Sequence, residues 1–133
     1  MEKYYFTLIV LMFFLFGCAE SSMPTITQLD SSVNGKSIQL LRNQRLLLDL
    51  EVHSDGGYQW DCQHNDSKII KKDSTHIISK NRNVNMVGGI SVETFYFSSN
   101  IVTGECEITL IEHRIWEKDI PPINKVQFKV IVK

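Results

Sequence analysis

At 133 residues the chain is long enough for one domain with a real core and too short for two. Its 14 basic and 15 acidic residues leave a formal charge of −1, so nothing electrostatic points to nucleic acid, and Lys71-Lys72 is the one basic pair of note.

Residues 1–17 read as an export signal. Lys3 and the amino terminus open it, softened by Glu2, and residues 4–16 are apolar apart from Thr7. A helix of that length rises only about 20 Å, short of the roughly 30 Å hydrocarbon core, so it is a signal-peptide core and not a span. The run closes on Leu15-Phe16-Gly17-Cys18, which resembles the lipobox of bacterial lipoproteins. The resemblance implies cleavage before Cys18, lipid on its sulfur, and anchorage in a bacterial cell envelope, on the periplasmic or outer-membrane face. Ala19 follows in place of a retaining aspartate, which favours the outer face.

Residues 18–36 are polar, rich in small residues, and contain Pro24, Asn34 and Gly35; they read as a lipidated amino terminus and tether. The domain is expected over 37–133. Beyond a first strand at 37–41 the signal has period two. Leu46, Leu48, Leu50 and Val52 share one face of a strand over 45–53, with Leu47 breaking the pattern on the other. Strands follow at 58–63, as short pieces at 69–70 and 75–79, then at 90–97, 105–112 and 126–132. Cys106, Ile108 and Leu110 share one parity, and so do Val126, Phe128, Val130 and Val132. No stretch has helical length and period. Seven or eight short strands predict an all-β, immunoglobulin-like antiparallel sandwich.

The stretch Ser54-Asp55-Gly56-Gly57-Tyr58-Gln59-Trp60 breaks one strand and starts the next on aromatic residues. Alone it is the turn of a plain hairpin. Two further connections change its meaning. Gly88-Gly89, after Met86-Val87, opens the fifth strand, and Arg114-Ile115-Trp116 follows the sixth. In the immunoglobulin arrangement these connections lie close to one end, and a tryptophan beside an arginine has the composition of an interface anchor. Tyr58 and Trp60 fall on core parity, as supports of the first loop.

With Cys18 lipidated, Cys62 and Cys106 remain as a pair in an oxidising compartment, on the core-facing parity of neighbouring strands. A disulfide between them is predicted; two buried free thiols are the alternative. No catalytic or cofactor motif is present. The histidines are isolated, no metal-ligand spacing occurs, and the carboxylates are expected on solvated strand surfaces.

In order and spacing the three loops resemble the chagasin family of inhibitors of papain-like cysteine peptidases. The family's first loop runs Asn-Pro-x-Thr-Gly-Tyr-x-Trp, and Gly57-Tyr58-Gln59-Trp60 matches its end. Its second has Gly-x-Gly-Gly before a strand with Phe-x-Phe, matched by Met86-Val87-Gly88-Gly89 with Phe95-Tyr96-Phe97. Its third is Arg-Pro-Trp or Arg-Pro-Phe, matched by Arg114-Ile115-Trp116. The resemblance implies a monomeric, non-covalent inhibitor without cofactor. Ser54, Asp55, Gly56, Gly57 and Tyr58 would enter the cleft and Met86 to Gly89 would line its non-primed side. Arg114, Ile115 and Trp116 would cover the primed side, with Trp60, Phe95 and Phe97 in support. This sequence departs from the pattern in having His53-Ser54 for Asn-Pro, Gly56 for the threonine, Ile115 for the proline, and Glu112 for a tyrosine often found two residues before the arginine. The first three changes predict looser loops. The competing reading is a lipid-anchored adhesion or assembly module with the same fold.

Overall fold

A computed structural model describes residues 25–53, 56–79 and 91–133. The signal peptide, Cys18, Ser54, Asp55, Met86, Val87, Gly88 and Gly89 lie outside the described residues.

Where alternation is regular the strands form as predicted. In β3 (Arg45–Val52) Leu46, Leu48, Leu50 and Val52 are buried, while Leu47 on the outer face sits opposite Tyr96 of β6 (Ser91–Ser99). In β7 (Gly104–His113) and β8 (Asn124–Val132) the inward residues are Cys106, Ile108, Leu110 and Glu112, and Val126, Phe128, Val130 and Val132. Each apolar side chain so buried contributes roughly 1.5–3 kcal/mol, which makes these two facing stripes the main source of stability.

With β1 (Ile26–Asp30), β2 (Ser37–Leu40), β4 (Gln59–His64) and β5 (Ile70–Ser79), the strands form two four-stranded sheets, ordered β1-β3-β6-β5 and β2-β8-β7-β4. Pairing is antiparallel except at one edge of each sheet, where β1 lies parallel to β3 and β2 parallel to β8.

Three expectations change. The stretch read as tether is partly folded. Strand β1 lies within it, Asp30 accepts a hydrogen bond from the Ser32 N–H (2.8 Å) to start a 3-10 turn at Ser31–Val33, and Val33 enters the core. The two pieces at 69–79 are one strand, β5, joined through a bulge between Lys72 and Ser74. Cys62 and Cys106 are free thiols. Their strands do neighbour, but Cys62 lies opposite Leu110, four residues from Cys106. That offset is about 13 Å along the strand, well beyond the roughly 7 Å that a disulfide allows between Cα atoms. Burial pushes the Cys62 thiol up to about 11 and the Cys106 thiol upward too, so both stay protonated and unreactive at neutral pH.

The strand registers gather the loop roots at one end. Val52 and Ser79 both pair with Ser91, Gln59 pairs with His113, and Glu112 pairs with Asn124. The two sheets meet there through Glu112 and His53, so the strand ends that lead to all three predicted loops share this end.

Candidate functional site

Two of the three loops lock onto each other. The first closes tightly, with the Gly56 N–H donating to the His53 carbonyl at 3.2 Å. Gly57 follows at φ +74°, a left-handed conformation that strains any residue with a Cβ. The third loop turns just as sharply, with the Glu117 N–H donating to the Arg114 carbonyl at 3.0 Å. The middle residues of such a turn point outward, and these are Ile115 and Trp116, exposed by 57% and 62%. The outer edge of the Trp116 indole nevertheless abuts Gly57. A Cβ at Gly57 would overlap the ring and lie 3.1 Å from its Cζ2.

Arg114 braces the pair. Its Nε donates to the Gly56 carbonyl at 2.7 Å and its Nη1 to Glu117 Oε1 at 3.0 Å, while the guanidinium lies 4.5 Å from the centre of the Tyr58 ring. These are charge-assisted and cation–π contacts, each among the stronger of its kind. Tyr58 is half-buried, with His53 edge-on to its ring at 6.5 Å. At Gly56 a Cβ would lie 2.9 Å from Tyr58 Cδ2, so the ring occupies the space a side chain at 56 would need. Tyr58 and Arg114 therefore hold the tip together, while glycine backbone and the exposed indole are what the tip offers to a partner.

Trp60 lies directly beneath, buried, its Nε1 donating to the Glu51 carbonyl at 2.9 Å. Phe95 and Phe97 stack at 6.4 Å, but opposite Leu48 and Leu46, so they fill the middle of the core and reach the loops only through packing.

Two buried carboxylates at this end run against the expectation that such groups stay solvated. Glu112 is completely buried and Glu93 is 5% exposed. Glu112 Oε1 accepts from both the backbone N–H and Nδ1 of His53 (2.7 and 3.0 Å), and its Oε2 accepts from Asn124 Nδ2 (2.6 Å). Glu93 Oε2 accepts from the Trp60 N–H at 3.3 Å, and burial raises this carboxyl above its usual range. Both glutamates continue the inward parity of their strands, Glu112 after Leu110 and Glu93 before Phe95, which is the signal that locates them in the sequence.

Among the described residues the geometry provides two loops fused at a glycine tip and no arrangement of nucleophile and base. Comparison with known proteins agrees. The family described as chagasin family peptidase inhibitor I42 matches residues 39–132. Among solved structures, a cysteine protease inhibitor from Entamoeba histolytica superposes with a TM-score of 0.72 at 19% identity, covering 81% of this chain and 96% of that one. The solution structure of amebosin gives a TM-score of 0.64 at 18% identity, covering 84% of this chain and 100% of that one. A search of curated protein sequences finds no match. The identities are too low for these structures to carry more than the fold, but the family match spans nearly the whole sandwich with both described loops, and by it this chain belongs to the chagasin family of peptidase inhibitors.

Proposed function

We propose that the protein is a reversible, non-covalent inhibitor of papain-like cysteine peptidases that occludes the active-site cleft. The observation that carries this reading is the contact of Trp116 on Gly57, braced by Arg114, which fuses two loops into one tip. A tip of bare glycine backbone can approach a catalytic cysteine and histidine closely without presenting a bond suited to cleavage. Ser54, Asp55, Gly56 and Gly57 enter the cleft, and the exposed face of Trp116 covers the primed side with Ile115 beside it. The Met86-Val87-Gly88-Gly89 segment pairs along the non-primed side as an extended substrate would. The family match supports the choice of partner. The protein acts as a monomer, held to a bacterial envelope membrane by lipid on Cys18.

Titration of the detergent-solubilised full chain against papain tests the proposal. Competitive inhibition that reverses on dilution is expected, as is retained binding to papain whose catalytic cysteine has been alkylated. Folded protein that leaves several papain-like peptidases uninhibited at micromolar concentration refutes it and favours an adhesion or assembly module.

A further inference from the structure

Glu112 is the least expected residue at the loop end. A carboxylate removed from water is costly unless its lone pairs are filled, and three donors fill them here. None of the three belongs to its own strand. His53, which supplies two, is the residue that leaves β3 for the first loop, and its carbonyl receives the Gly56 N–H. Asn124, which supplies the third, begins β8 where the third loop ends. The Glu112 carbonyl also accepts from the Ile123 N–H at 2.9 Å, and Arg114 follows two residues along the same chain. One side chain thus joins the exit of one loop to the return of the other, immediately below the place where Trp116 meets Gly57.

We propose that Glu112 is a positioning residue. It holds the roots of the first and third loops in the register that lays Trp116 on Gly57, and it thereby sets affinity for the peptidase without touching it. The affinity part of the proposal rests on the inhibitory reading above; the positioning part does not. The chemistry needs a group that accepts from His53 and bonds to Asn124. Methionine has nearly the same length and volume but accepts from none of the three, whereas glutamine can keep all three bonds, because the Asn124 amide can turn its oxygen toward the introduced NH2.

Glu112→Met is therefore the perturbation, and Glu112→Gln is the conservative control that keeps the same partners. The Gly57 Hα that points at the edge of the indole is a peptidase-independent reporter, since a proton near the plane of an aromatic ring at its edge resonates downfield. In the full chain in detergent it is expected downfield in the wild type and in Glu112→Gln, and nearer the ordinary glycine position in Glu112→Met. Inhibition constants are expected to follow, weakening about tenfold in Glu112→Met and staying within roughly threefold of wild type in Glu112→Gln. If Glu112→Met does not fold, Asn124→Ala removes the Oε2 partner from the exposed side and is expected to displace the signal likewise. A Gly57 signal that stays in place in the folded Glu112→Met or Asn124→Ala variant overturns the positioning role. A displaced signal with unchanged inhibition overturns the link to affinity. A wild type that inhibits nothing overturns the inhibitory reading and leaves the Gly57 signal to decide the rest.

Discussion

Replacing Gly57 by alanine separates the two demands made on this position. At φ +74° an alanine costs about 1–2 kcal/mol in backbone strain alone. The added methyl also overlaps the Trp116 indole. Because that ring is 62% exposed it can swing aside, so the steric part is limited to the packing it forfeits, about 1 kcal/mol. A stability loss of roughly 2–3 kcal/mol follows, which is a drop of about 10 °C in Tm for a domain of this size. Inhibition should weaken as well, because the displaced tryptophan is the anchor; a loss of about 2 kcal/mol is roughly a 30-fold rise in the inhibition constant. Thermal unfolding and inhibition kinetics on Gly57→Ala, Trp116→Ala and the double variant isolate the contact. In the Trp116→Ala background the alanine should retain only its strain cost, leaving a coupling near about 1 kcal/mol. Additive effects, or a Gly57→Ala protein that inhibits as well as the wild type, would show that Gly57 does not hold the indole.

The other interactions at this end make equally specific demands. Arg114→Lys keeps the charge but cannot reach the Gly56 carbonyl and Glu117 while lying flat on Tyr58, so inhibition should weaken about tenfold, chiefly through slower association; stopped-flow binding reads this, and an unchanged rate contradicts the brace. Gly56→Thr restores the family residue, yet its Cβ must push Tyr58 from beneath Arg114, so it should weaken inhibition; a tighter inhibition constant would reverse that conclusion. Burial raises the Glu93 carboxyl in the folded state, so the folded protein holds that proton more firmly than the unfolded chain, and stability falls as pH climbs from the ordinary carboxylate range through the raised value. Glu93→Gln keeps an oxygen for the Trp60 N–H without the buried charge, and should flatten the fall in Tm as pH rises above the ordinary carboxylate range relative to wild type; parallel curves would remove Glu93 as its source.

Period-two alternation is enough to read the strands that form the centre of each sheet, because both faces of β3, β7 and β8 differ sharply in polarity. It falls short at both edges of the first sheet, where it splits β5 at its bulge and misses β1. In β1 only Thr27 and Leu29 turn toward the interior, and only partly, so its alternation is lost in a polar stretch. Parity also assigns a face without assigning a register. It places Cys62 and Cys106 on adjacent strands and still joins them wrongly, since nothing local reports a four-residue offset. Conversely, parity does place Glu112 and Glu93 inward, and only the expectation that carboxylates stay in water hides them.

The same contrast between local and tertiary information revises what the departures from the family pattern mean. Taken locally, His53-Ser54 for Asn-Pro, glycine for threonine and isoleucine for proline each free the loops. In the folded protein each position is restrained from elsewhere. Tyr58 fills the space beside Gly56, the Arg114–Glu117 pair and the Glu117 N–H close the turn that Ile115 leaves without a ring, and Glu112 ties His53 to Asn124. Restraint by side-chain contact lowers the entropy cost of binding just as a proline would, but it depends on every partner being present. Single substitutions among Tyr58, Arg114, Glu112 and Asn124 should therefore be strongly non-additive in inhibition, whereas substitutions in a loop rigidified by its own backbone would act nearly independently.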